Sequence, residues 1–210
     1  MGHGYRRESK KKDLGVIINN DLKPTKHCIE VCKKASQRLR LMNRHIVYKS
    51  PLVISKLYNA QVRPLLEYCI QFSYPYQVQD IDRLEQIQRR ATKMIPALKH
   101  LSYKDRLAAL GMFSLKRRRL RGDMIEVFKI INGLDKLNFD KFFIKDSRNI
   151  TRGHSLKLCK KSVRTQLRQH SFSNRIVNFW NSLTEEVVSS DSLDIFKTRL
   201  DKFMTTKGIW

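Results

Sequence analysis

Lys26-His27-Cys28-Ile29-Glu30-Val31-Cys32-Lys33-Lys34-Ala35-Ser36-Gln37-Arg38-Leu39-Arg40-Leu41-Met42-Asn43-Arg44-His45-Ile46 decides the fold class. Ile29, Cys32, Ala35, Leu39, Met42 and Ile46 recur at steps of three or four, which places them on one face of a helix. The period persists downstream. Ser50-Pro51 is an N-cap followed by proline at the first helical position. The helix it opens carries Leu52, Leu57, Tyr58 and Val62 and is expected to stop or kink at Pro64. Residues 80–95 put Ile81, Leu84, Gln88, Ala91 and Ile95 on one side before Pro96 ends the run. Ser102-Tyr103-Lys104-Asp105 resembles a capping box, and Gly111 closes the short helix after it. Ser114 caps the next, with Leu120, Met124, Val127 and Ile131 as its core line. Segment 134–169 is irregular. Two closing helices follow, one with Phe172, Ile176, Phe179, Trp180 and Leu183, the other with Leu193, Phe196, Leu200 and Phe203; both lines read as core.

Working outward to the N-terminus, Asp13-Leu14-Gly15-Val16-Ile17-Ile18 is a short β-branched run closed by the turn formers Asn19-Asn20-Asp21. It reads as one buried strand with no second strand beside it. Because a lone strand leaves its backbone groups unpaired, it is expected to borrow a sheet or to have lost one. The expected architecture is mainly α, a helical bundle with one short N-terminal strand and an irregular basic segment before two C-terminal helices. The expected divisions are 1–22, 23–133 and 134–210.

Charge is the strongest global signal. Lys plus Arg number 43 against 19 Asp plus Glu, a formal net charge of +24 and an isoelectric point near 10.2. Such a surplus costs self-repulsion in the compact state, and a polyanion relieves it. Nucleic acid, RNA or DNA, is the commonest such partner; an anionic membrane needs an amphipathic helix with exposed apolar bulk. No stretch approaches the ~18 apolar residues of a membrane span, and Met1-Gly2-His3-Gly4-Tyr5-Arg6 has no apolar signal-peptide core. Four cysteines (Cys28, Cys32, Cys69 and Cys159) are too sparse for a disulfide framework. These features predict an intracellular protein, nuclear or cytoplasmic, with no membrane and no small-molecule substrate as partner.

Several strings, taken in order, resemble the region downstream of the polymerase active site in jockey-like non-LTR retrotransposon reverse transcriptases. They are Lys12-Asp13-Leu14-Gly15-Val16-Ile17, Val62-Arg63-Pro64-Leu65-Leu66-Glu67-Tyr68 and Asp80-Ile81-Asp82-Arg83-Leu84-Glu85-Gln86-Ile87-Gln88-Arg89-Arg90. Tyr103-Lys104-Asp105-Arg106-Leu107, Arg117-Arg118-Arg119-Leu120-Arg121-Gly122-Asp123-Met124 and Thr151-Arg152-Gly153-His154 continue the series. It ends in Phe172-Ser173-Asn174-Arg175-Ile176-Val177-Asn178-Phe179-Trp180-Asn181-Ser182-Leu183. The chain departs from the family pattern at Phe72-Ser73-Tyr74, where a tryptophan is usual, and at Thr184, where a proline is. The resemblance implies that the strand near Val16 is the last piece of a palm and that the following helices form a thumb-like domain, which in such polymerases grips template–primer duplex.

Catalysis is not expected from these residues. Reverse transcription needs carboxylates converging on two metal ions, and no Asp-Asp pair occurs. Asp80 and Asp82, two apart on a helix, point apart, and Glu185-Glu186 has no third carboxylate in sight. Cys28 and Cys32, near His27 and His45, form a C-x3-C pair without the second ligand pair of a structural zinc site, so no metal or cofactor is expected. The chemistry lies in cations. Arg83, Arg90 and Lys93 project away from the apolar face of 80–95, with Arg89 at its margin. Lys116, Arg117, Arg118 and Arg119 crowd the start of the Ser114 helix, where the macrodipole disfavours each cation by ~0.3–1 kcal/mol; with Arg121 they predict an anionic partner there. Arg152, His154, Lys157, Lys160, Lys161, Arg164 and Arg168 predict a phosphate-contacting arm in the irregular segment. Base stacking is not expected, because aromatics are not interleaved with these cations in the manner of an RNA-recognition sheet. The resulting expectation is a non-catalytic, phosphate-binding remnant of a reverse transcriptase. The alternatives are a subunit that takes its palm from another polymerase chain, or a truncated, non-functional copy.

Overall fold

In the computed structural model, which describes residues 10–146 and 153–209, the β-branched run near the N-terminus has a partner strand. Strand β1 (Lys10–Asp13) pairs antiparallel with β2 (Val16–Asn19), Asp13 opposite Val16 and Lys12 opposite Ile17. The loop is therefore Leu14-Gly15, with φ of 43° and 85°. Positive φ at both central residues is the hairpin turn whose twist matches its strands. The expectation of an unpartnered strand is thus corrected; three consecutive lysines carry little β-propensity, so β1 was invisible to pattern. The Ile17 amide donates to His27 Nδ1 at 3.3 Å, and the Tyr68 hydroxyl donates to the Leu14 carbonyl at 2.8 Å.

The chain divides into two compact units, Met1–Cys69 with Ser73–Met112, and Ile70–Phe72 with Phe113–Trp210. In the first, the hairpin precedes α1 (Thr25–His45), α2 (Pro51–Leu57), a π-helical turn (Tyr58–Val62) and α3 (Arg63–Glu67). Helix α4 (Ile70–Ser73) follows, its first three residues lying in the second unit, then α5 (Val78–Lys93), a 3-10 turn (Pro96–Leu98) and α6 (Tyr103–Ala109). Ser50 and Ser102 cap α2 and α6 as their sequence predicts, accepting from the Val53 and Asp105 amides. Pro64 does not stop its helix. With no N–H to offer the Ala60 carbonyl, the chain widens by one residue, and the Arg63 amide reaches back five positions to Tyr58. On α1, Cys28, Ala35, Leu39 and Met42 are buried, but Ile29 is exposed and His27 takes a place inside. The interior also holds a polar chain: Tyr58 OH donates to Gln88 Oε1 at 2.8 Å, Gln88 Nε2 to Tyr103 OH at 3.0 Å, and Tyr103 OH to Glu85. Burial, then the neighbouring Glu85 carboxylate, holds the Tyr103 phenol far above its ordinary range.

The second unit contains α7 (Leu115–Ile131), α8 (Phe139–Phe142), α9 (Gln166–Gln169), α10 (Phe172–Arg175), α11 (Val177–Asn181), α12 (Glu185–Val188) and α13 (Leu193–Thr206). Its core joins Met124, Val127 and Phe128 to Trp180, Phe196 and Leu200. Helices α7 and α13 run antiparallel, with Phe128 stacked on Phe196 at 4.2 Å between centroids. This packing moves the division of the chain to Met112/Phe113, ahead of the boundary expected after Gly133. The described residues of 134–169 are largely irregular, but the Cys159 amide donates to the Ile144 carbonyl and the Asp146 amide to the Lys157 carbonyl. The single helix expected over 172–183 is instead α10 and α11, separated at Ile176. Among the described residues no helix is long and apolar enough to cross a membrane.

Candidate nucleic-acid interface

Helices α1 and α5 lie parallel. Thr25 Oγ1 donates to Asp80 Oδ2 at 2.7 Å near their N-terminal ends, and Arg90 donates to Ser36 Oγ at 3.1 Å further along. Their C-terminal halves, with the 3-10 turn and the loop after α1, enclose a groove of about 620 Å³. Arg40, Arg44, Lys49, Arg90, Lys93 and Lys99 line it, Leu39, Met94 and Pro96 supply apolar surface, and none of its lining residues is acidic. Lys49 is half-buried; the other five cations are exposed.

Part of this charge has an internal explanation. Arg44 sits in the last turn of α1 and Arg90 and Lys93 in that of α5, where the negative end of each macrodipole stabilises a cation. Arg40 lies more than a turn from the end of α1, and Lys49 and Lys99 lie outside both helices. Arg40 and Lys49 therefore answer no C-terminal helix end, and Lys99 caps only the three-residue 3-10 turn.

The remaining expected residues divide sharply. Arg90 and Lys93 belong to the groove. Arg83 is paired with the buried Asp80 at 2.7 Å, and Arg89 lies over the Tyr103 ring at 4.9 Å, so both already have partners in their own unit. Arg117 and Arg119 are buried at 0% and 2% exposure, which corrects their assignment to an outward basic face. Arg117 donates to the Asp201 and Ile209 carbonyls and to Thr205 Oγ1, and lies 3.7 Å from the Phe113 ring centroid. Arg121 forms a two-pronged pair with Asp201 at 2.6 and 2.9 Å. The anionic counterpart expected at the start of α7 is therefore the C-terminal end of α13, whose carbonyls carry the negative end of its dipole. Lys116 is exposed and Arg118 half-buried.

In the irregular segment, Lys160, Lys161, Arg164 and Arg168 are exposed and Lys157 is half-buried. Arg152 lies outside the described residues. His154 is not part of a basic surface: it is buried, with Nε2 2.9 Å from the Trp180 carbonyl oxygen and Nδ1 accepting from the Leu156 amide. Burial lowers its pKa below the ordinary histidine value.

Arg40, Arg44, Lys49 and Lys99 were missed by sequence reasoning. A signal existed, because α1 carries Lys26, Lys33, Lys34, Arg38, Arg40 and Arg44 against the single acid Glu30. Their convergence with Lys93 is a product of tertiary packing. The four cysteines are free thiols, and among the described residues no three His, Cys, Asp or Glu side chains are placed to hold a metal ion. No protein-family model, curated protein or solved structure matches the chain.

Proposed function

We propose that this chain is a non-catalytic nucleic-acid-binding protein that holds RNA or DNA by its phosphates, with the α1–α5 groove as principal contact. One observation carries this reading: six cations and no carboxylate line a single groove. The ordered strings shared with non-LTR reverse transcriptases support the same reading from another direction, with the first unit taking the part of a thumb-like domain separated from its palm. The pairing of β1 with β2 within this chain supports this reading over a subunit that takes its palm from another polymerase chain.

Cations that replace condensed counterions make affinity fall with salt, by roughly 0.9 in log–log slope per phosphate on duplex DNA. The full chain binding an RNA–DNA hybrid should therefore show a slope of about −4 to −6 for five or six contacts. A flat salt response, or no binding at low ionic strength, overturns the proposal.

A further inference from the structure

A double helix turns its base faces inward and offers a protein groove chiefly phosphates. The α1–α5 groove presents more than charge. Leu39, Met94 and Pro96 line it together with the cations, and their carbon surface gains nothing from a phosphate. Beside it, the loop between α1 and α2 holds the two most exposed consecutive large apolar residues of the first unit. Val47 is 95% and Tyr48 79% exposed, and the next residue, Lys49, lines the groove. Scattered exposed apolar residues need no explanation. An exposed tyrosine with groove cations on both sides in sequence, Arg44 and Lys49, is the arrangement used where a base stacks while its flanking phosphates are neutralised.

We infer that the groove and the Val47-Tyr48 loop form a binding site for single-stranded nucleic acid, in which Tyr48 stacks on an unpaired base, carbon surface shelters a neighbouring one, and the cations hold the phosphates. This deepens the phosphate-binding reading and rests on it. A single strand satisfies the charge, the apolar surface and the exposed ring together; a duplex satisfies only the first. The groove volume, about 620 Å³, lies within the range of pockets that enclose one small organic ligand, which suits a nucleotide or two. RNA and DNA strands share this chemistry.

The test is fluorescence anisotropy on the full chain with four labelled probes of equal length: a uridine-rich RNA strand, a thymidine strand, the same strand with abasic sites, and a blunt DNA duplex. Wild type should bind the base-bearing strands about tenfold more tightly than the abasic one, the scale of one lost stack. Tyr48→Ala should remove most of that difference without altering duplex affinity or the salt slope, and Tyr48→Phe, which keeps the ring, should behave as wild type. The double variant Arg44→Glu/Lys93→Glu should weaken every probe. If wild type binds intact and abasic strands equally, or Tyr48→Ala retains the full preference, the single-strand inference fails; phosphate binding stands if the double variant still weakens all probes. No binding to any probe removes both. Phosphatidylserine vesicles provide the last arm: if Tyr48→Ala abolishes vesicle binding and leaves strand binding untouched, the loop is a membrane contact and the inference is overturned.

Discussion

Arg175 uses all five of its N–H donors inside the second unit, two to Asp123 at 2.8 and 3.0 Å and three to the carbonyls of Ile70, Gln71 and His170. Asp123 is almost wholly buried, and burial pushes its carboxyl up to about 6 even against the adjacent guanidinium. Removing one member of such a pair leaves the other charge stranded, which costs about 3–5 kcal/mol. Arg175→Met should lower the denaturant unfolding free energy by that amount, and Arg175→Lys by less, since it keeps charge without the fork. A loss under about 1 kcal/mol for the methionine variant would show that the pair contributes little beyond its own desolvation. His27 works in the opposite pH direction. Its Nδ1 accepts from the Ile17 amide, which a protonated ring cannot do, and burial followed by Lys34 lowers its pKa from 6.5. The unfolded chain takes up that proton first, so the stabilisation present above pH 6.5 is lost as pH falls below it. Asp123 has its folded pKa raised, so the cost of its buried charge is relieved as pH falls through about 6 toward 3.8. NMR titration should find His27 below 6.5, with Ile17 amide exchange accelerating beyond its intrinsic pH trend once the ring protonates. A titration at or above the ordinary value, with no change at Ile17, refutes this account of the hairpin anchor.

Local chemistry made the helical elements readable, and distant chemistry hid the rest. Ser50, Ser102 and Ser114 cap their helices because an N-cap is decided within three residues. Whether Lys10-Lys11-Lys12 is a strand depends on β2 and its docking on α1, and whether Phe172 to Leu183 is one helix depends on what Arg175 and Asn181 bond. Asn181 takes both polar groups of Leu158, accepting from its amide and donating to its carbonyl, each at about 2.8–2.9 Å. Residues far apart in the chain find one another in space: Tyr68 with Leu14, Tyr103 with Glu85 and Gln88, and Arg175 with Asp123. These pairs build the framework, and none of them involves a cation of the groove. The start of α7 shows the same division between reading and packing. Its cations oppose their own macrodipole, yet they face the end of α13, Arg117 by Thr205 and Arg121 by Asp201. Arg117→Ala should cost about 3 kcal/mol, the scale of buried charge-assisted hydrogen bonds. It should leave nucleic-acid affinity unchanged at temperatures where the protein is folded. A variant of undiminished stability that binds more weakly would return Arg117 to the interface.

At the scale of the molecule, +24 over 210 residues raises the question of whether any polyanion would bind anywhere. Diffuse charge and a focused site make different demands. In the first case affinity follows net charge, and three reversals have similar effects wherever they are placed. In the second, a groove concentrates potential between its walls, so the same three reversals matter most inside it. Composition revealed the surplus but not its focus, because Arg40, Arg44 and Lys93 are brought together only when α1 packs parallel to α5. Lys160, Lys161 and Arg164 supply a matched control, being exposed in the irregular segment and close in sequence. Converting Arg40, Arg44 and Lys93 to glutamate should reduce affinity for a mixed-sequence strand by a factor on the order of 100 at moderate salt and make the salt slope shallower by about 3. Converting Lys160, Lys161 and Arg164 to glutamate alters the formal charge equally and should cost only a fewfold through the long-range field, which salt screens within about 10 Å. Equal losses for the two triple variants would locate binding in the charge of the whole surface, while a larger loss in the second would move the contact to the irregular segment. Because both variants carry the same formal charge, ranking their affinities separates focus from surplus without further correction.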